Sequence, residues 1–492
     1  MNRIGLTFFS LLLLALCSAL SAQAPAAARR FAGSKVMRGA SFSILIKDVN
    51  SGDTICSVDP NRALAPASVM KLVTTAAALE ILGDNYRYQT VIEYGGRIKG
   101  GVVDGRLYIR GGGDPTLGSS HFAREPNAYA HDRNAFFPQW LDAVRRHGIT
   151  AVAGDVVADE SIFDTEGVSM KWLREDLGSY YGAGSYGISV FDNIYRLYVD
   201  AGPAGSRPEV IGSEPPMQLR FHNYLTSAPV ASDSTFIVGS PFSPDRYLYG
   251  LVPANSKMYL LRGDIPDPPL FLAQYVYAGL QSAGVRIEGE PTSIRILSEN
   301  NRLTAENRTP IIATTSPSLR EIVRITNERS HNLYADALLK TIGAAAPVRR
   351  GETLSTFGRG IRAVREHWMR KGLNASGLVM HDGSGLAPTS RVTASFIVEL
   401  LIYMAARSPQ SEAFISSLPQ AGLEGSVRNF LKDTPLQGRT VLKSGGMSSV
   451  RSYAGYIDGN GKRLAAVVIV NGYNGSSLEA TREIEKLLVA LN

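Results

Sequence analysis

The spacing of apolar and polar positions changes along the chain, and each change predicts a different kind of element. From Ser41 to Val58 the alternation has a period of two on either side of Asn50-Ser51-Gly52-Asp53, which is turn chemistry, so a β-hairpin is predicted. Pro66 then precedes a stretch with Leu72, Ala76 and Leu79 on one face, and no Gly or Pro interrupts it between Ala67 and Leu82. This predicts a helix stopped by Gly83. Between about Arg87 and Asn300 the texture becomes short alternating segments broken by Gly, Pro and Asn, such as Gly111-Gly112-Gly113-Asp114-Pro115, and predicts a β-rich, loop-rich region. Helical periodicity returns over 318–342 and 355–371. The chain then closes with strands over 451–457 and 464–470 and an amphipathic helix over 476–491. That helix follows its strand without a linker and carries both signs of charge, so packing on the sheet is expected rather than a membrane surface.

The first residues add an address. Arg3, an apolar stretch from Ile4 to Leu16 and the small residues ending at Ala24 form the pattern of a signal peptide over residues 1–24. The apolar stretch is shorter than the ~20 residues that span a bilayer, so the mature chain is expected to be exported to the periplasm or cell-wall space without a transmembrane anchor. Bulky Leu16 before Cys17 argues against a lipoprotein signal. Cleavage leaves Cys56 as the single cysteine, so no intramolecular disulfide is possible, and its alternating setting predicts a half-buried strand residue rather than a catalytic thiol. The formal charge is +7, or +6 without Arg3, and the excess is spread thinly. There is no basic run of the kind that marks a nucleic-acid partner. At 492 residues the chain is too long for one core, and two or three domains are expected.

Three short motifs carry the candidate chemistry. Ser68-Val69-Met70-Lys71 is the only Ser-x-x-Lys in the chain. Three residues apart on one helical turn, an amine stands beside a hydroxyl that needs a base to attack a carbonyl. The helix start also offers free N–H groups to an oxyanion. Ser330-His331-Asn332 falls in a polar break between two helical patterns, where a loop can hold a hydroxyl and an amide in a cleft. Ser298-Glu299-Asn300 has the same form but trails into an undistinguished polar loop, so Ser330 is preferred. Lys443-Ser444-Gly445-Gly446 closes a strand from Thr440, pairing a cation and a hydroxyl for a substrate carboxylate with glycines that let a substrate backbone approach. The chain contains neither a Gly-x-Ser-x-Gly elbow nor a His-Glu-x-x-His zinc site. Gly182-Ala183-Gly184-Ser185-Tyr186-Gly187 fits a dinucleotide pattern, but no clear strand precedes it and a loop is expected.

In this order and on these elements, the motifs resemble those of the penicillin-binding protein and serine β-lactamase superfamily. Because 259 positions separate Lys71 from Ser330, something is inserted between the first two motifs. That spacing, with Ala65-Pro66-Ala67-Ser68, the stretch Gly111 to Leu117, and Asp382-Gly383-Ser384-Gly385-Leu386, resembles the class C low-molecular-mass penicillin-binding proteins, the D-alanyl-D-alanine carboxypeptidase/endopeptidase family. Ser444 stands where that family usually has threonine, and the hydroxyl is kept.

The resemblance implies an α/β fold, a transpeptidase/β-lactamase-like domain with a five-stranded sheet, helices on both sides and a helical region. It would be built from 25–86 and 302–492 and interrupted by a β-rich module over 87–301, expected as two subdomains. It implies a serine DD-peptidase acting on peptidoglycan stems and acylated by β-lactams. In that scheme Ser68 is the nucleophile, Lys71 its base and Ser330 a proton relay. Asn332, Lys443, Ser444 and Gly445 bind substrate, and the N–H groups of Ser68 and Gly446 form the oxyanion hole. His331 is expected to be positional, and Ser384 is the reserve nucleophile. No cofactor or metal is expected. A β-lactamase, or a non-catalytic wall-binding or β-lactam-sensing protein, would share the motifs; the large insert favours the peptidase.

Overall fold

The computed structural model describes residues 26–122, 136–459 and 461–491. The expected signal peptide lies outside the described residues. A five-stranded antiparallel sheet organises the molecule: β1 (Ser41–Asp48), β2 (Thr54–Val58), β3 (Thr440–Met447), β4 (Val450–Gly459) and β5 (Lys462–Asn471), in the order β3-β4-β5-β1-β2. The hairpin turn forms where the polar cluster predicts it, with the Asp48 carboxylate accepting the N–H groups of Asn50 and Ser51. Chain ends and chain start therefore meet in one sheet, which brings Lys443 on edge strand β3 near residues some 370 positions earlier.

Each face of this sheet is covered by helices. On one lies an all-helical layer: α1 (Met70–Leu82), α2 (Leu319–Glu328), α3 (Asn332–Ala345), α4 (Thr356–Arg370) and α5 (Ala394–Ala406). Every residue of α1 from Met70 to Leu79 is buried. It is apolar on all sides because it runs through the middle of this layer rather than along its surface. On the other face lie the helix Ala26–Gly33 and α6 (Ser477–Leu491), whose buried Ala480, Ile484, Leu487 and Leu488 form the stripe expected of a sheet-packing helix. Cys56 is buried in β2, and burial pushes its thiol up to about 11, as suits a packing residue. Among the described residues no helix is long and apolar enough to cross a membrane.

Between α1 and α2 the chain leaves this body and forms four small sheets. One is five-stranded and opens with Gln89–Gly95, which pairs with Arg308–Thr315. The sheet's last strand therefore lies beyond position 301, where the sequence placed the return to the catalytic part; Pro310 within it weakens the strand signal. Buried residues from Ile92 to Ile287 form an apolar cluster that reaches all four sheets, with a smaller one at Tyr108, Val157 and Leu297. The region also holds helices that the sequence reading passed over, among the described residues Phe137–Arg146, Pro268–Ser282 and the short Ile294–Glu299. The second had a readable start: Asp267 accepts the N–H of Leu270, with Pro268 and Pro269 in the first turn.

Candidate active site

The three motifs converge, although they lie on a helix entry, an interhelical turn and a sheet edge. Ser68 sits in a single 3₁₀ turn, Ala67–Val69, that runs directly into α1, and Ala67 holds a left-handed backbone with φ of 47°. Asn471 of β5 fixes the approach to this turn, accepting from Ala65 N (2.9 Å) and donating to Ala65 O (3.0 Å). Ser330 lies between α2 and α3, again left-handed at φ 58°. Such conformations in residues other than glycine cost about 1–3 kcal/mol and persist only where the surroundings enforce them. Here they flank the hydroxyls that the sequence picked out.

Two glycines show how closely the segments meet. A Cβ on Gly445 would lie 2.6 Å from Pro66 O, 2.3 Å from Ser452 Oγ and 3.0 Å from Ser68 N. A Cβ on Gly385 would lie 2.0 Å from Ala67 O. The Ala67–Val69 turn is thus clasped by β3 and by the Asp382–Leu386 loop, and neither contact tolerates a side chain.

Lys71 is fully buried. Its Nζ lies 2.9 Å from Ser68 Oγ and donates to Asn332 Oδ1 (2.7 Å) and to the Ser384 carbonyl (2.8 Å). Lys443, also fully buried, donates to Ser330 Oγ (2.9 Å) and to the Ser444 carbonyl (2.7 Å). Ser444 Oγ lies 2.9 Å from Ser426 Oγ. Neither lysine has a carboxylate within 4.0 Å among the described residues. Burial therefore lowers Lys71 to about 8, against the pull of the Asp336 and Asp382 carboxylates. Burial also lowers the affinity of Lys443 for a proton, and the Lys71 charge lowers it further.

Several further residues surround this pair, and of them Asp336 and Tyr181 gave no sequence signal of their own. Asp336, one turn into α3, accepts the N–H groups of Gly383 (2.7 Å) and Ser384 (3.0 Å), and burial raises its carboxyl to about 8. Asp382 accepts from Gly385 N, Ala387 N and Trp172 Nε1. Ser384 is thus a buried loop residue whose carbonyl orients Lys71. Tyr181, from the inserted region, accepts the Asn332 amide N–H on its carbonyl (2.8 Å). Its neighbourhood is tied down by the fully buried Lys340, which donates to the carbonyls of Glu166 (2.7 Å) and Ser185 (2.9 Å). A segment from 173 to 181 therefore forms one wall of a cleft of about 660 Å³ that holds Ser68, Ser330, Asn332 and Gly446 on the other side and is also lined by Asp176, Tyr181 and Arg391. The glycine-rich stretch from Gly182 follows Tyr181 directly, starting in a 3₁₀ turn at Tyr180–Gly182.

Ser298-Glu299-Asn300 ends a short helix, Ile294–Glu299, that packs within the inserted region away from the other motifs. His331 packs rather than reacts: its ring stacks on Tyr334 at 3.9 Å, and Nε2 lies 3.8 Å from Asp192 Oδ1, which also accepts from Tyr334 Oη (2.9 Å). With His121 these two make the one group among the described residues whose ligand atoms lie close enough for a metal, within 4.8 Å of one another.

Against known proteins, the D-Ala-D-Ala carboxypeptidase 3 (S13) family matches residues 28–492. The chain belongs to that family. Membership in S13 makes it a serine-type D-Ala-D-Ala carboxypeptidase of the penicillin-binding class, in line with the motif spacing. A D-alanyl-D-alanine carboxypeptidase of Actinomadura sp. strain R39 is 28% identical over 461 residues, covering 91% of this chain and 80% of that one. The DacB carboxypeptidase of Haemophilus influenzae is 22% identical over 451 residues, covering 91% and 88%. The crystal structure of penicillin-binding protein 4 from H. influenzae superposes with a TM-score of 0.78 at 21% identity, over 94% of this chain and 98% of that one. At that identity the superposition establishes the shared S13 fold, insert included.

Proposed function

We propose that this S13 protein hydrolyses the D-alanyl-D-alanine bond of peptidoglycan stems through an acyl-enzyme on Ser68, and the D-alanyl cross-link where two stems are joined. The observation that carries the reading is the 2.9 Å approach of a fully buried, carboxylate-poor Lys71 amine to Ser68 Oγ. A lysine lowered to about 8 is neutral in a useful fraction near neutral pH, so it can take the hydroxyl proton as Oγ adds to the carbonyl carbon. The N–H groups of Ser68 and Gly446 would receive the oxyanion. Collapse breaks the C–N bond, and the proton that Lys71 took is relayed through Ser330, 2.9 Å from Lys443, to the departing amine, which leaves Lys71 neutral again and Ser330 with its hydroxyl proton. Water then adds to the ester, Lys71 again taking the proton, and Ser68 is regenerated.

Asn332 would orient the stem's peptide amide. Lys443, Ser444 and Gly445 would meet the terminal carboxylate, which supplies the counter-charge that the Lys443 pocket lacks. The body formed by the central sheet and its helices performs the chemistry, and the inserted region selects which stems enter. The same acylation step would trap a β-lactam, and the substrate places the protein outside the cytoplasm, in the periplasm or wall space. H. influenzae penicillin-binding protein 4 has been crystallised with a β-lactam, which supports this part of the reading. Incubating purified protein with a pentapeptide stem ending in D-Ala-D-Ala should release D-alanine, and Ser68→Ala should not. Release by Ser68→Ala at more than a thousandth of the wild-type rate would contradict the proposal.

A further inference from the structure

Beside the cleft lies a second cavity of about 650 Å³ whose walls carry four arginines, Arg329, Arg428, Arg451 and Arg482, against one carboxylate, Glu485. Glu485 is already engaged, accepting the N–H of Leu431 at 2.7 Å. Arg329 has its ion pair with Glu328 (3.2 Å). Among the described residues Arg428, Arg451 and Arg482 have no carboxylate within 4.0 Å, and the Nε of Arg451 is buried with no hydrogen-bond partner. Arg320, by contrast, is paired with Asp84 and Glu412. Three arginines without a carboxylate partner beside a fourth are electrostatically unfavourable unless an anion completes the set.

Its position says which anion. Arg329 precedes Ser330, and Ser444, which follows Lys443, lines the cavity itself. Arg451 pairs with Gly446 across β3 and β4, and a Cβ on Gly446 would lie 2.2 Å from Arg451 Nη1. Gly446 lines the cleft, so the two cavities share the β3 edge as a wall. A group entering the second one therefore continues past the Lys443-Ser444 corner, on the side where the departing half of the substrate would lie.

Resting on the peptidase reading above, we infer that this cavity is a leaving-side anion subsite for the carboxylates of a second stem peptide. Its ligand is the segment released when a cross-link is cut. D-Alanine alone is too small to reach it, since its one carboxylate is taken by Lys443 and Ser444. A second stem carries additional carboxylates on its backbone and side chains, and guanidinium forks are suited to bind them in pairs. The subsite would favour cross-linked over single stems without contributing to bond cleavage itself.

The test uses the full mature protein, a purified cross-linked dimer and a single pentapeptide stem. In Arg428→Gln/Arg482→Gln, both positions being exposed, KM for splitting the dimer should rise at least tenfold while kcat/KM for D-alanine release from the single stem stays within twofold. Raising the salt from 50 to 500 mM, as a rough range of screening, should raise the wild-type KM for the dimer much more than for the single stem. An unchanged dimer KM in the variant, an equal loss on both substrates, or a wild type that releases D-alanine but neither splits the dimer nor is inhibited by it would overturn the subsite. A wild type with no activity on either substrate would instead overturn the peptidase reading.

Discussion

Buried cations serve two purposes in this protein, and the two regions separate them. In the inserted region Arg246 is fully buried and its guanidinium meets Asp264 at 2.8 Å; Arg308 likewise meets Asp159, and Arg295 meets Asp267. In the catalytic region Lys71 and Lys443 are equally buried, yet their partners are hydroxyls, an amide oxygen and carbonyls. A paired charge is at rest and holds structure. An unpaired amine is held in a state where it readily loses or gains a proton, or accepts an incoming anion, and that is what a peptidase site needs. The arrangement is unfavourable by itself, which is why it is enclosed by strained turns at Ala67 and Ser330 and by close glycine contacts at Gly385 and Gly445.

The comparison can be broken at several depths. The largest effect is expected at Lys71→Ala, which should slow acylation by a fluorescent penicillin about a thousandfold or more with the melting temperature little changed, in keeping with loss of a general base. A rate within tenfold of wild type in stopped-flow labelling would show that another group takes the proton. Gly445→Ala comes next: its Cβ would push β3 away from Pro66 O and Ser68 N, so acylation should fall about a hundredfold, as misplacements near 1 Å do. In the inserted region the same kind of substitution should act on stability instead. Asp264→Asn leaves Arg246 buried without its counter-charge and should cost about 3–5 kcal/mol in denaturant unfolding, while the folded fraction keeps its acylation rate within twofold.

Smaller effects sharpen the account of Lys71. Because the base must be neutral, acylation should rise with pH and level off above about 8, falling as pH drops and the amine is protonated. Of the carboxyls facing Lys71, Asp336 pulls its affinity for a proton up the most, so Asp336→Asn, which keeps an oxygen for the Gly383 and Ser384 N–H groups, should move the acid limb to lower pH. A limb that moves up, or stays, would contradict the electrostatic assignment. Smallest of all, Trp172→Phe removes the indole N–H to Asp382 together with part of the ring and should reduce acylation about threefold to tenfold through the loop that orients Lys71, roughly the net worth of one hydrogen bond.

What could be read from the sequence follows from range. The helix after Pro66, the break at Ser330 and the closing strand, strand and helix are local patterns, and the three motifs ride on them. Their meeting was inferred from resemblance, because no spacing rule brings Lys443 to Ser330 across 113 positions. Asp336 and Tyr181 went unnoticed for the same reason. Asp336 looks like an ordinary helix residue and Tyr181 contributes a backbone carbonyl, so each gains its role only through partners distant in sequence. The inserted region's helices were missed because its short segments carry turn residues at strand-like spacing, and its last strand because Arg308–Thr315 completes a sheet begun more than 200 positions earlier.

The central claim is that Ser68 is the atom acylated in the cleft, with Lys71 beside it as the base. Protein trapped after brief exposure to a penicillin, digested and mapped by tandem mass spectrometry at neutral and at acid pH, tests it directly. One adduct per chain should appear, on the peptide containing Ser68, with its rate of appearance lower at acid pH. An adduct on Ser384 or Ser330, or none on Ser68 while the protein still releases D-alanine from a stem peptide, would contradict it.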